Sequence, residues 1–155
     1  MVSENPTGSN TEATQSRQCN LRLLYLRDLS FESPHVPGIL LGHEQPDLKM
    51  TVESSHKMRD KDIYEVLLEV SVHAMAGEKS LFLIEVKQGG VFEITGYSTD
   101  ETLAILKTKA MEALYPYARE LISSLASRGG FPRLQLRPLN FEALYAEAKQ
   151  GRIKV

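Results

Sequence analysis

The sequence predicts an α+β fold in which a four-stranded antiparallel sheet carries a long helix and shorter helices on one face. Four segments with alternating apolar and polar residues make up about half of the first 95 residues, as is typical of half-buried strands. After them, apolar residues recur at spacings of three and four, which indicates amphipathic helices. Strands that come first and helices that follow are characteristic of an α+β domain.

The first predicted strand lies within LRLLYLRDLSFE, residues 21–32. In its second half Leu29 and Phe31 share one side, whereas Asp28 and Glu32 share the other. The next segment, SPHVPGILLGHEQP, contains three prolines and two glycines, so we expect a long loop without a regular element. Its apolar centre predicts that the loop lies against an apolar surface.

Three further strands are predicted. Clean alternation covers residues 47–53, and a polar link, 54–62, separates it from the strongest strand, 63–76. A short turn leads to a strand at 80–88, which we expect to pair antiparallel with its predecessor. The glycine pair 89–90 predicts a bulge that bends this strand before VFEIT, and a turn is the alternative.

One face of this sheet has no predicted element to cover it. Alternation places mainly acidic residues there, together with a few apolar ones such as Leu83. The acidic residues are Asp28, Glu32, Glu65, Glu69 and Glu85. In a chain whose net charge is −2, this acidic face is a first indication of function.

Sequence signals for two helices follow the strands. Ser98 and Glu101 form an S-x-x-E capping box, which predicts a short helix over 102–114. Pro116 suits the first turn of a long helix, where its missing N–H costs nothing. The glycine pair 129–130 predicts the end of that helix.

An apolar ribbon, RLQLRPLNF, comes next and is kept extended by Pro132 and Pro138. Asn140 is predicted to cap a last helix that ends at Gly151. The ribbon, this helix and the loop centre at 36–41 carry more aliphatic surface than connections need. Such surface marks a binding groove or an oligomer contact. Alternatively, these segments cover one another in the core.

The chain of 155 residues is predicted to form one domain over 18–150. Residues 1–17 are polar and lack apolar periodicity, so we expect a disordered tail, and residues 151–155 form a short C-terminal tail. The N-terminus lacks a signal-peptide pattern, no apolar run is long enough to span a membrane, and the single cysteine, Cys19, fits a reducing compartment. We therefore expect a cytoplasmic protein without direct membrane insertion.

No convergent group of catalytic residues is visible. The four histidines lie scattered over predicted loops and strands without metal-ligand spacing, and no catalytic or phosphate-binding motif occurs. The adjacent Arg119 and Glu120 flank an apolar helix stripe, where such a pair usually edges a packed face. The net charge of −2 provides no basic footprint for nucleic acid. The sequence therefore predicts neither an enzyme nor a metal, a cofactor or a nucleic-acid partner.

Four runs resemble the SecB export-chaperone family. They are YLRDLSFESPHVP, YEVLLEVSV, LFLIEVKQGGVFEITG and LYPYARELISSLASRGGFPRLQLRPLNFEALY, in the family's order over about residues 24–145. The segments GGxF and SRGGFPxLxLxPxNF are specific to the family. The resemblance implies a SecB-like fold and an ATP-independent holdase that binds unfolded precursor proteins and passes them to the SecA translocase motor. It also implies a homotetramer, a dimer of dimers, with the first strand and the long helix at its contacts.

The resemblance further implies two sets of binding residues. The residues that would contact SecA are Asp28, Glu32, Leu83 and Glu85. The residues that would line a client-binding groove are Val36, Ile39, Leu40, Leu41, Leu48, Met50, Val52, Phe141, Leu144 and Tyr145. Alternation alone places the SecA set on the uncovered face of the sheet.

The sequence departs from the family in two places. It ends in GRIKV, short and basic, where relatives often carry a flexible acidic tail, so a motor contact through that tail is not implied. No aromatic residue lies between Phe31 and Tyr64, so we expect the groove to prefer aliphatic client segments.

Two other functions stay open. One is a SecB-like chaperone dedicated to a single client, such as an antitoxin. The other is an oligomeric small-ligand-binding protein or enzyme that uses the same groove. The acidic pair and Leu83–Glu85 favour the motor-docking function, because a dedicated chaperone need not keep them.

Overall fold

The computed structural model describes residues 15–149 of the chain. The strands are β1 (Gln18–Glu32), β2 (Asp47–Asp60), β3 (Ile63–Ala76) and β4 (Lys79–Thr95), with a short 3-10 helix, Gly38–Leu41, between β1 and β2. The α-helices are α1 (Thr99–Lys107), α2 (Lys109–Arg128) and α3 (Phe141–Lys149). Apart from residues 15–17, the predicted tails and the predicted helix end at Gly151 lie outside the described residues.

The four strands form one antiparallel sheet in the order β1-β4-β3-β2, so β1 and β2 are its edges. The helices cover one face, called here the inner face, and the opposite face is called the outer face. The predicted α+β fold class is confirmed. Fully buried aliphatic side chains from the two central strands and α2 form the core, among them Val66, Leu68, Val70, Ile84, Leu114 and Ile122.

Side chains alternate between the two faces as the sequence predicts. On β3 and β4 the even-numbered residues 64–74 and 82–94 are directed toward the helices. On β1, Leu29 lies opposite Val86 and Phe31 opposite Ile84, which places both on the inner face. Burial of one face therefore determines the strand register over most of the sheet.

The second strand is longer than predicted. The polar link expected at 54–62 is wrong, because β2 continues to Asp60 and joins β3 through a tight turn at Lys61 and Asp62. Asp62 has φ 61°, a left-handed conformation that Asp tolerates better than most residues. Backbone pairing with β3 holds this end of β2, so it needs no apolar side chains to remain a strand.

The bulge predicted at the glycine pair of the last strand is not present there, and β1, the partner of that strand, contains two bulges instead. β4 runs without interruption through Gly89 and Gly90, and both remain in register with β3. The register between β1 and β4 shifts at Arg22 and again at Arg27, where β1 contains one extra residue each time. Gly89 serves a different purpose, because the ring of Tyr25 lies across it.

We expect Gly89→Ala to lower the free energy of unfolding by about 1–3 kcal/mol through overpacking. An added Cβ would lie 2.3 Å from the Cζ atom of Tyr25. Chemical denaturation monitored by circular dichroism measures this loss. Gly38→Ala is the matched control, since no atom lies within 4 Å of its Cβ position. In a Tyr25→Ala background, Gly89→Ala should lower the free energy of unfolding much less. An equal loss in both backgrounds would show that the added Cβ does not collide with the Tyr25 ring.

The helices begin and end differently from the prediction. Ser98 caps α1 as predicted, because the Glu101 backbone N–H donates to the Ser98 hydroxyl at 3.2 Å, while the Glu101 carboxylate pairs with Arg17 at 3.5 Å. The chain then breaks at Thr108, and α2 begins at Lys109, so Pro116 lies inside the long helix rather than in its first turn. Both Pro116 and Glu112 are exposed, so water can satisfy the carbonyl that Pro116 leaves without a donor.

The end of α2 and the start of α3 agree with the prediction. Gly130 has φ +87°, and the Phe131 N–H donates to the Ala126 carbonyl, which ends the helix in a left-handed turn. The Asn140 side chain accepts a hydrogen bond from the Ala143 N–H at 3.0 Å and caps α3. The loop before β2 was predicted to lack regular structure, but the 3-10 helix in it packs Ile39 against the core.

Candidate binding surfaces

An apolar groove runs along β2, the edge strand opposite β1. The inner-face residues of β2 include Leu48, Met50 and Val52, and within residues 15–149 no further strand pairs with β2 beyond β3. The ribbon after α2 and helix α3 pack next to this row, together with the loop before β2. The space between these segments is the groove.

Three cavities that follow one another along β2, the first two of them with shared lining residues, make up the apolar groove. The helix-end cavity, about 310 Å³, lies between β2, α1 and α3 and is lined by Val52, Leu103, Met111, Leu144 and Tyr145 among others. The middle cavity, about 620 Å³, shares Val52 and Leu144 with it and adds Met50 and Leu139. The loop-end cavity, about 370 Å³, is lined by Ile39, Leu40, Leu48, Phe131 and Leu134 among others.

The groove follows the inner-face residues of β2 from Leu48 to Ser54. Six residue steps along a strand correspond to about 20 Å. Apolar side chains dominate its walls, and Leu48 remains 49% exposed at its surface. The arrangement therefore suits an extended apolar segment rather than a compact polar ligand.

Seven of the ten residues predicted to line a groove surround these cavities as exposed or half-buried side chains. They are Ile39, Leu40, Leu48, Met50, Val52, Leu144 and Tyr145. Val36 and Leu41 are exposed on the loop but line none of the three cavities. Phe141 also lines the helix-end cavity, but it is only 4% exposed and its ring meets Tyr115 edge-on at 5.7 Å. Phe141 is mainly a core residue that supports the floor of the groove.

Several groove residues were not predicted. Leu103 and Met111 come from α1 and α2, and Leu134 and Leu139 come from the ribbon. Leu103 belongs to the periodic apolar pattern of α1, yet only the packing of α1 beside α3 brings it to the groove. The ribbon leucines were recognised as excess aliphatic surface, but their neighbours cannot be read from spacing.

Cations border the helix end of the groove. Lys107 Nζ donates to the Ser54 hydroxyl at 3.2 Å, and Lys149 Nζ lies 5.1 Å from the centre of the Tyr145 ring. Burial, with a contribution from Lys107, lowers the pKa of His56 on β2. The lowered pKa favours the neutral imidazole, so Lys107 and Lys149 supply the positive charge at this end.

The four residues predicted to contact a motor lie together on the outer face. Glu32 is directly opposite Leu83, and Ser30 is opposite Glu85, while Asp28 lies one pair further along the same strands. Among the ion pairs between described residues, none involves Asp28, Glu32 or Glu85. These four residues, Asp28, Glu32, Leu83 and Glu85, form what we call the acidic patch.

The remainder of the outer face is less acidic than predicted. Arg27 and Arg59 both pair with Glu65, and the two guanidinium groups, chiefly that of Arg59, lower the pKa of its carboxyl. Glu69 pairs with Lys87 at 2.9 Å. Cross-strand pairing therefore neutralises two of the five predicted carboxylates, and the uncompensated negative charge concentrates in the acidic patch.

No helix within residues 15–149 combines the length and hydrophobicity needed to cross a membrane. In the same part of the chain, no three or more His, Cys, Asp or Glu side chains come together in a way that would hold a metal ion.

Comparison with known proteins gives the family. A model of the family described as preprotein translocase subunit SecB matches residues 12–152. The chain belongs to the SecB family. Family membership identifies the protein as a chaperone, which agrees with the apolar groove and with the resemblance seen in the sequence.

Solved structures with a related fold include a SecB-like chaperone from Mycobacterium tuberculosis in complex with a ChAD peptide from the HigA1 antitoxin. It is 18% identical, with a TM-score of 0.66, and the match covers 79% of this chain and 91% of that one. A protein of unknown function from Streptococcus agalactiae is 11% identical, with a TM-score of 0.44, over 79% of this chain and 99% of that one. The first likeness confirms that the fold is SecB-like.

Proposed function

We propose that this SecB-family protein is an ATP-independent holdase that binds non-native precursor proteins and delivers them to the SecA motor for export. The observation that carries the proposal is the apolar groove along β2, about 20 Å long by strand geometry. Seven predicted groove residues surround it as exposed or half-buried side chains. A holdase needs such a surface, because its clients have in common only exposed apolar segments.

The groove suits clients of many sequences. Each aliphatic side chain that a client buries contributes about 1.5–3 kcal/mol, so several loose contacts suffice without close shape matching. Met50 adapts to different partners because its side chain is flexible and polarisable. The exposed and half-buried wall residues are mainly aliphatic, and the phenylalanines that line the cavities, Phe82, Phe131 and Phe141, are buried, which supports the expected preference for aliphatic client segments.

The acidic patch supports the delivery step. It combines three carboxylates without ion-pair partners among the described residues with the apolar side chain of Leu83. Exposed carboxylates increase the rate at which a basic partner docks and orient it, and an apolar residue among them adds contact area. We therefore assign SecA binding to Asp28, Glu32, Leu83 and Glu85, in the cytoplasm, before the client reaches the membrane.

We also propose that the functional form is a homotetramer, a dimer of dimers. Edge strand β1 exposes four leucines to at least a third of their surface, and Tyr117 on α2 is about half exposed. The residues are Leu21, Leu23, Leu26, Leu29 and Tyr117. A second copy that covered them would bury apolar surface and remove the free edge of β1.

The second candidate is a chaperone dedicated to one client. The observation that favours it is the Mycobacterium tuberculosis neighbour, whose structure contains a peptide from an antitoxin. A dedicated chaperone needs a groove, but it does not need the acidic patch.

Native mass spectrometry of the full chain with unfolded precursor proteins tests the function. We expect a tetramer that takes up several unrelated unfolded precursors without ATP and does not take up the same proteins once folded. Added SecA should join the loaded complex. Uptake of no precursor would contradict the holdase function, and uptake of only one antitoxin from a panel of clients would establish the dedicated alternative.

A further inference from the structure

Two arginines on β1 occupy the positions where its register against β4 shifts. Leu21 pairs with Phe92 and Leu23 with Val91, so Arg22 is the extra residue of the first bulge. Leu26 pairs with Gln88 and Asp28 with Lys87, so Arg27 is the extra residue of the second. Each arginine forms an ion pair on the outer face, Arg22 with Glu93 and Arg27 with Glu65.

The second bulge determines which face the acidic patch occupies. Leu26 lies opposite the buried Gln88 on the inner face, whereas Asp28 lies opposite Lys87 on the outer face. Side chains alternate strictly along a regular strand, so without the extra residue Asp28 and Glu32 would face the helices. Leu29 and Phe31 would then face solvent. The bulge at Arg27 is therefore a condition for the acidic patch.

Arg27 is held on the outer face by a contact that reaches across a strand. Its Nη1 donates to Glu65 Oε1 at 2.9 Å, although Glu65 is on β3 and β4 lies between. Arg59 on β2 donates through Nε to the other oxygen, Oε2, at 2.6 Å, and so fixes the carboxylate from the opposite side. The Glu65 carboxylate thus links the bulge at Arg27 to β3 and β2, and backbone pairing links β1 to β4.

We propose that Arg27 is a positioning residue for partner docking: anchored to Glu65, it holds the β1 bulge that presents Asp28 and Glu32 on the outer face. The inference rests on the proposed docking of SecA at the acidic patch. Arg27 itself carries the wrong sign of charge to attract a basic partner, so its contribution is geometric.

The direction of the change in SecA affinity after Arg27→Ala distinguishes a geometric role of Arg27 from an electrostatic one. Removing a cation beside the acidic patch makes the local potential more negative, and simple electrostatics then predicts tighter binding of a basic partner. Loss of the bulge predicts the opposite, because the carboxylates leave the docking face. Arg27→Ala is therefore expected to weaken SecA binding about tenfold, comparable to the loss of rim charges.

Isothermal titration calorimetry of the full chain with SecA measures this effect. Glu65→Gln should weaken binding to the same extent, and the double variant Arg27→Ala with Glu65→Gln should be no weaker than either single one. Arg27→Lys keeps a cation within reach of Glu65 and should restore most of the affinity. Arg22→Ala is the matched control, since it removes the same kind of pair from the other bulge and should leave binding unchanged.

A disulfide reports the register without SecA. Ser30 and Glu85 are directly opposite on the outer face, so Ser30→Cys with Glu85→Cys should form a disulfide in a Cys19→Ser background. Adding Arg27→Ala should reduce its yield, which mass spectrometry detects. An unchanged yield, or SecA binding equal to or tighter than that of the unmodified protein, would overturn the positioning role. If Asp28→Ala with Glu85→Ala also left SecA binding unchanged, the docking assignment itself would be wrong.

Discussion

Leu48→Asp combined with Met50→Asp is expected to abolish client holding while the tetramer and its acidic patch remain. Both residues lie in the inner-face row of β2, Leu48 in the loop-end cavity and Met50 in the middle cavity. Losing two aliphatic contacts at about 1.5–3 kcal/mol each corresponds to a hundredfold or greater loss of affinity. A client would also have to desolvate two carboxylates in the groove, which increases the loss. Suppression of aggregation of a chemically unfolded protein, measured by light scattering, reports the effect.

The control places the same two charges outside the groove. Leu41 is 83% exposed and lines none of the three cavities, and Ser55 lies opposite Leu67 on the outer face of β2. Leu41→Asp with Ser55→Asp should therefore suppress aggregation as well as the unmodified protein does. Circular dichroism and native mass spectrometry confirm that both double variants fold and assemble. If the two pairs impaired holding equally, net charge rather than the groove would govern client binding.

This comparison also decides the role of Leu41. The sequence pattern and the family resemblance grouped it with Ile39 and Leu40, because all three lie in the apolar centre of one loop. The 3-10 helix turns Ile39 toward the core and brings Leu40 against Gly130, whereas Leu41 points into solvent. A helical turn directs neighbouring side chains to different sides of its axis. Because the loop was predicted to be irregular, the sequence did not predict that Leu41 would point away from Ile39 and Leu40.

Most strand faces were predictable from the sequence, because apolar and polar residues alternate along each strand and burial of one sheet face against the helices causes that alternation. One face of each central strand is buried, so a one-residue slip of β3 or β4 would expose its entire apolar set. The outer positions of Asp28, Glu32, Leu83 and Glu85 followed from this rule, and the observed register agrees with it. The far end of β2 was not predictable, because backbone pairing rather than side-chain burial holds it in the sheet.

The two bulges of β1 had a sequence signal that was missed. Leu21 and Leu24 both lie on the inner face, as do Leu26 and Leu29, although each pair is three residues apart. A spacing of three between inner leucines is incompatible with a regular strand and requires one extra residue between them. The glycine pair in β4 predicted a bulge in the wrong strand, because Gly89 instead makes room for the Tyr25 ring.

The two proposed surfaces lie on opposite faces of the sheet. The acidic patch belongs to the outer face of β1 and β4, whereas the groove follows the inner face of β2, and its loop end also reaches Leu81 and Phe82 of β4. At the middle and helix end of the groove, two strand spacings, about 10 Å, separate β2 from β4, in addition to the thickness of the sheet. A chaperone with this layout can hold a client and dock to a motor at the same time, as transfer between them requires.

Asp28→Ala combined with Glu85→Ala is expected to weaken SecA binding at least about tenfold at low salt, because two of the three unpaired carboxylates are lost. The affinity of the unmodified protein should fall as ionic strength rises, and that of the variant should fall less steeply. Titration calorimetry at two salt concentrations measures both. Asp100→Ala with Glu112→Ala removes the same charge from exposed positions on α1 and α2 and should leave SecA binding unchanged.

The two double variants show that the surfaces are separate only if each variant loses one activity and keeps the other. Leu48→Asp with Met50→Asp should eliminate holding and spare SecA binding, and Asp28→Ala with Glu85→Ala should do the reverse. A general loss of stability would instead impair both activities in both variants. Intact SecA binding in the patch variant would assign the motor to another surface and favour the dedicated chaperone, because nothing in holding a single client requires unpaired carboxylates around Leu83.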